Sequence, residues 1–233
     1  MASILKQNFE DRFVPEKELI KTDWSGLLDL EHSSGALETP LPEEQIWLLY
    51  DLFSETESRK LIAIAEKAGF GFTSYPKDYR GNLRLITNDQ RLATQTWLRM
   101  KHAIPSTLFY CGVEWEVTGL NPHWRLSKYY AGDVFQEHCD SAFIQGENLR
   151  SFYTVNIYLN DTFSQGGTRF FRADSAHEGK ETRIRVRVQP KPGLALIFAQ
   201  PGLRFYGHDG ERVEGGEKYL IRSDVMYQRV AKK

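Results

Sequence analysis

The 233 residues carry 30 basic and 31 acidic side chains, a formal net charge of −1, with 41% hydrophobic and 13% aromatic content. That balance argues against a phosphate backbone as partner, and nothing approaches the ~18 consecutive apolar residues that cross a bilayer. The charged start MASILKQNFEDRFVPEKEL has no apolar signal core, so a soluble, cytoplasmic chain is expected, with neither nucleic acid nor membrane as partner.

Residues 1–43 mix charge with isolated apolar positions and end in the turn-rich SSGALETPLPEE, which predicts an irregular N-terminal arm. One domain is expected over 44–233, a length that one core can fill. IWLLYDLF, Ile46 to Phe53, is an apolar run of strand length. Ser54 and Glu57 form an S-x-x-E capping box, and Leu61, Ile62, Ile64, Ala65 and Ala68 recur at helical spacing before Gly69, predicting a helix over 54–68. YRGNLRLIT follows, read as a connection between helices. A second helix is predicted over about 89–103, with Leu92, Ala93, Thr96, Trp97 and Met100 on one face and Pro105 beyond its end. From about 113 the texture changes to short alternating or β-branched segments: WRLSKYY, SFYTVNIYL, TRFF, TRIRVRV, LALIF and KYLIRSDVMY. Many strands without intervening helices, following two helices, predict an α+β, mainly β fold in which helices brace a sandwich or barrel.

His138 and Asp140 stand two apart in FQEHCDSAF, so on an extended backbone both side chains leave one face. Two imidazoles and one carboxylate form the facial set that leaves positions open on iron(II). His208, in FYGHDGERVEGGEKYLIRSDVMY, offers the second imidazole, and Lys218 follows ten residues later. A dicarboxylate co-substrate that chelates the metal with one end needs a cation for the other, because a buried unpaired charge is costly. Cys139, between the ligands, points its thiol away. With Cys111 it makes too few cysteines for a disulfide scaffold. Arg183, Arg185 and Arg187 alternate with apolar residues as one solvated strand face, and His32, His102, His123 and His177 receive no role.

Tyr129, Gly132, Phe135, His138 and Asp140, then Gly166, Gly167 and Thr168, then Gly193 and Phe198, then His208 and Lys218, resemble the prolyl 4-hydroxylase-like branch of the Fe(II)/2-oxoglutarate-dependent dioxygenases. The resemblance runs from about Ile46 to Tyr227. It implies a double-stranded β-helix, or jelly-roll, with Fe(II) on His138, Asp140 and His208. It implies 2-oxoglutarate as co-substrate, held by Lys218 and Tyr129 with Thr154 beside them, O2 as oxidant and ascorbate as supporting reductant. The reaction implied is hydroxylation of a C–H bond in a peptidyl substrate, prolyl among the options, or in a small molecule, with succinate and CO2 as co-products. A non-oxidative cupin-like enzyme, or a metal-binding barrel without catalysis, is the alternative on the same fold.

This chain departs from the family after the distal histidine, where it reads HDGERVEGGEKY. Arg222, four residues beyond Lys218, should face the same interior. It pairs with the metal-bound carboxylate or a polar or acidic substrate, or replaces Lys218 as the 2-oxoglutarate anchor, or is turned outward by a bulge or held in a structural pair with Asp224 or another acid. Arg80, Asn82 and Arg84 are candidate substrate contacts, with ordinary loop solvation as the competing reading. The oligomeric state is not set by the sequence.

Overall fold

The computed structural model describes residues 17–19, 24, 26–41, 45–172, 179–204 and 207–231, and His177 lies outside them. The first helix, Glu55–Ala68, begins as the capping box dictates: the Ser54 hydroxyl accepts from the Glu57 N–H at 3.2 Å, while the Glu57 carboxylate accepts from the Ser54 N–H at 2.7 Å. Leu61 and Ala65 are fully buried, and Gly69 closes the helix at φ 85°. The second, Gln90–Met100, is capped by Asp89, and its last turn tightens into a 3-10 segment over Lys101–Ala103. Both pack on the core that also takes Trp97 and Trp115.

The large sheet runs, neighbour to neighbour, through Lys17–Leu19, Leu83–Asn88, His123–Tyr130, Val213–Arg229, Leu149–Tyr158, Ala195–Ala199, Ile46–Leu49 and Leu37–Leu41. A smaller sheet runs through Ile184–Val188, Thr168–Phe171, His208–Gly210 and Phe135–His138. Every pairing but that of Lys17–Leu19 is antiparallel. These are the two faces of a double-stranded β-helix, as expected, with the site between them. Arg185 and Arg187 stand on the exposed face of their strand, as the alternation predicted, whereas Arg183 precedes the strand and its largely buried side chain pairs with Glu137.

Gly193 joins the sheets to the segment before the first helix. It adopts φ +76°, and a Cβ there would lie 1.8 Å from the Phe53 carbonyl oxygen, so only glycine lets the two backbones meet. Its own carbonyl accepts from the Leu52 N–H at 2.9 Å.

Two expectations about the first half need correction. The segment before residue 44 is not simply irregular: Leu37–Leu41 adds a strand to Ile46–Leu49, and Trp24, Leu27 and Leu28 are buried in the main core. Their apolar side chains are isolated in sequence, so no periodicity announced them. The β structure also begins before residue 113, because Leu83–Asn88, half of the supposed connection, is a strand paired with His123–Tyr130. Among the described residues no helix is long and apolar enough to cross a membrane.

Candidate active site

The small sheet sets His208 opposite His138 in register, and the chain leaving His138 brings in Asp140. One ligand atom from each of the three lies within 4.8 Å of the others. His138 Nε2 is 3.7 Å from one Asp140 oxygen and His208 Nε2 is 3.8 Å from the other. His138 Nδ1 lies 2.7 Å from the Gln136 carbonyl oxygen, which only accepts, so Nδ1 donates and Nε2 keeps its lone pair for a metal. Phe135 stacks on that imidazole at 3.6 Å between centroids and 19° between planes. This donor set fits iron(II).

Asp140 is held on both oxygens. Thr154 donates its hydroxyl to Oδ2 at 2.9 Å, and Arg222 donates to Oδ1 at 2.8 Å. Burial works to raise the acid's pKa, but the Arg222 charge and the two histidines hold it well below the usual carboxylate range. Asp140 is thus ionised and oriented as a ligand must be. Arg222 also reaches Asp224 at 3.3 Å, and Asp224 in turn pairs with Arg125 at 3.2 Å.

The large sheet supplies the other wall. Lys218 stands opposite Tyr129 in register, and Arg222 opposite Arg125 on one side and Asn156 on the other. Lys218 is 2% exposed; its ammonium donates to the Gly166 carbonyl and lies 5.3 and 5.5 Å from the Tyr129 and Tyr158 rings. No carboxylate pairs with it among the described residues, and burial pushes its pKa down to about 8 despite the more distant charges of Glu211 and Asp209. Arg80, Tyr129, His138, Asp140, His208, Lys218 and Arg222 line one cavity of about 520 Å³, open mouth included.

Three of the residues singled out from the sequence fall behind the cavity. Thr154 serves Asp140 and Gln200 rather than lying beside Lys218 and Tyr129. Asn82 is buried and accepts from Arg80 Nε at 2.9 Å while donating to Ser127. Arg84 is not among the lining residues. Arg125 and Ser127 do line it and were missed, although they alternate with Tyr129 in WRLSKYY as Arg222 does with Lys218. Cys139 is half-buried and outside the ligand set.

The double-stranded β-helix, the His138–Asp140–His208 cluster that could hold a metal and the buried Lys218 together suit an iron oxygenase with a dicarboxylate co-substrate. Residues 124–223 match the 2OG-Fe(II) oxygenase superfamily, a span that contains His138, Asp140, His208, Lys218 and Arg222. That stretch is therefore similar to 2-oxoglutarate- and Fe(II)-dependent oxygenases, which use O2. Similar folds include the viral collagen prolyl hydroxylase of Paramecium Bursaria Chlorella virus-1 solved with 2OG (17% identity, TM-score 0.52, 82% of this chain and 99% of that one). A prolyl-4-hydroxylase of Pseudomonas putida matches at 14% identity and TM-score 0.55, over 82% and 96% of the two chains. A Trichoplax adhaerens prolyl hydroxylase, in complex with a hypoxia inducible factor peptide fragment, matches at 14% and 0.55, over 79% and 84%. No curated protein sequence matches this chain.

Proposed function

We propose that His138, Asp140 and His208 hold the iron, that Lys218 with the Tyr129 hydroxyl holds the distal carboxylate of 2-oxoglutarate, and that the enzyme hydroxylates a C–H bond of a peptide or small molecule. The observation that carries this reading is Lys218, a buried ammonium in the cavity wall whose hydrogen-bond partner is a carbonyl and which no acid neutralises among the described residues. Arg222 is already engaged by Asp140 and Asp224, which favours Lys218 over Arg222 as the anchor. A non-oxidative metal enzyme has no use for a cation in that place.

When bound, iron(II) supplies open positions at which 2-oxoglutarate and O2 react, so that the substrate gains hydroxyl and succinate and CO2 are released. The protein's own work is positional. Thr154 and Arg222 fix both oxygens of Asp140, Gln136 and Phe135 fix His138, and the cavity walls exclude water from the reacting C–H bond. The cytoplasm is the proposed compartment, and the absence of a disulfide at Cys111 and Cys139 is consistent with its reducing conditions.

The test is twofold. Protein supplied with Fe(II), 2-oxoglutarate and ascorbate, with candidate peptides and metabolites, should form succinate, and His208→Ala should abolish it. By calorimetry, 2-oxoglutarate should bind the Mn(II)-loaded chain and fail to bind Lys218→Ala. Succinate formation that persists in His208→Ala would overturn the ligand assignment, and undiminished binding in Lys218→Ala would overturn the anchor.

A further inference from the structure

Arg80 lines the cavity and is held in place by its neighbours. Its backbone bridges Phe135, its Nε donates to Asn82 Oδ1 at 2.9 Å, and its guanidinium lies 4.3 Å from the Phe135 ring, which itself stacks on the iron ligand His138. With Nε occupied, neither terminal nitrogen has a protein acceptor, and no acid pairs with the side chain, among the described residues. Burial pulls its proton affinity down, opposed by Tyr129 and reinforced by the nearby charges of Arg84 and Arg222. A planar fork fixed this way and aimed into a cavity suits bidentate binding of a carboxylate.

The charges around the cavity show what remains to be matched. Asp140 is taken by the metal site and Arg222, Asp224 by Arg125 and Arg222, and Asp209 by Arg169 and Lys180 behind the wall. Two lining cations are left without an acid, Lys218 and Arg80. Bound 2-oxoglutarate has one carboxylate free after it chelates the metal. On the reading above Lys218 takes it, and Arg80 still lacks an acid among the described residues.

We infer that the substrate carries a carboxylate and that Arg80, aligned by Asn82 and Phe135, binds it beside the iron, making Arg80 a specificity-determining residue. The inference rests on the oxygenase reading. The carboxylate belongs either to a free acid or chain terminus, or to an acidic side chain, and the two sources share the same chemistry at Arg80.

The experiment is calorimetric titration of the full chain, loaded with Mn(II) and saturated with 2-oxoglutarate. The probes are matched pairs: free L-amino acids against their carboxamides, and end-blocked dipeptides containing aspartate or glutamate against those containing asparagine or glutamine. At least one acid should bind about tenfold or more tightly than its amide, as expected for a charge-assisted pair; the first arm responding identifies a terminal carboxylate, the second a side-chain one. Arg80→Gln should erase that preference while the affinity for 2-oxoglutarate stays within about twofold, and Arg80→Lys should keep part of it. Acids and amides binding alike to the wild type, or a preference unchanged in Arg80→Gln, would overturn the inference. So would a tenfold loss of 2-oxoglutarate affinity in Arg80→Gln, which would make Arg80 a co-substrate anchor. Wild-type protein that binds no 2-oxoglutarate at all would instead sink the oxygenase reading, and it is measured before any probe is added.

Discussion

Lys218 carries a pH dependence that distinguishes it from Arg222 as the co-substrate anchor. Burial pushes its pKa from the usual 10.5 down to about 8, so in the ligand-free protein the ammonium is charged below pH 8 and neutral above it. A carboxylate binds the charged form, so 2-oxoglutarate affinity should be steady near pH 7 and weaken by about tenfold by pH 9. Stability runs the other way. The unfolded chain holds the proton up to about pH 10.5, so the ligand-free fold gains stability as pH rises from about 8 to 10.5. Lys218→Arg keeps its charge throughout, and its 2-oxoglutarate affinity should be flatter over pH 7 to 9. Titrations at both pH values on the Mn(II)-loaded proteins check this, and parallel curves would remove Lys218 from the anchor role. At this scale the chemistry was legible wherever it lies on an extended strand, because alternation alone puts Lys218 and Arg222 on one wall. What alternation cannot give is the partner. That Thr154 would serve Asp140, or Asn82 align Arg80, depends on which strands become neighbours.

The elements repeat that lesson with Glu57. The S-x-x-E spacing announced its local role at the start of a helix, but the same carboxylate also accepts from the Asp29 N–H at 2.6 Å and from Arg99 of the second helix at 2.7 and 2.9 Å. One buried acid thus ties together both helices and the N-terminal segment. Burial opposes its ionisation, yet the Arg99 pair and the two backbone donors hold its pKa at about 2 against the usual 4.5. Its stabilising contribution is therefore complete above about pH 4.5 and is lost as pH falls toward 2, a span worth about 3 kcal/mol. Glu57→Gln should lower unfolding stability by about that amount or more at pH 7, since it leaves Arg99 buried without its acid, and the deficit should shrink on acidification. Denaturant unfolding at pH 7 and pH 3 measures it; a deficit independent of pH would show that Glu57 acts through packing rather than charge. Helix starts are local and were readable, whereas an ion pair across 42 residues was not.

Across the whole molecule, the assembly reaches back into the segment before residue 44. Trp24 is 3% exposed, and its indole N–H donates to the Thr87 hydroxyl at 3.3 Å, on the strand that carries the sheet toward Arg80. Leu27 and Leu28 fill the same core, and the Asp29 N–H and carbonyl meet Glu57 and Arg99. Truncating one large buried side chain costs about 3–5 kcal/mol, against a total stability of about 5–15 kcal/mol. Removing residues 1–30 should therefore leave a domain that unfolds far below the parent midpoint or does not accumulate in soluble form. Trp24→Ala alone should lose about 3 kcal/mol or more in denaturant unfolding. If the truncated protein kept the parent's thermal midpoint, the segment would be an appendage, as its scattered apolar residues first suggested. The packing argues otherwise: the helices that brace the large sheet are themselves locked by this segment, and the sheet they brace carries Lys218 and Arg222. Loosening at Trp24 should consequently reach the site, and 2-oxoglutarate affinity in Trp24→Ala, measured where the variant is still folded, should fall below that of the parent.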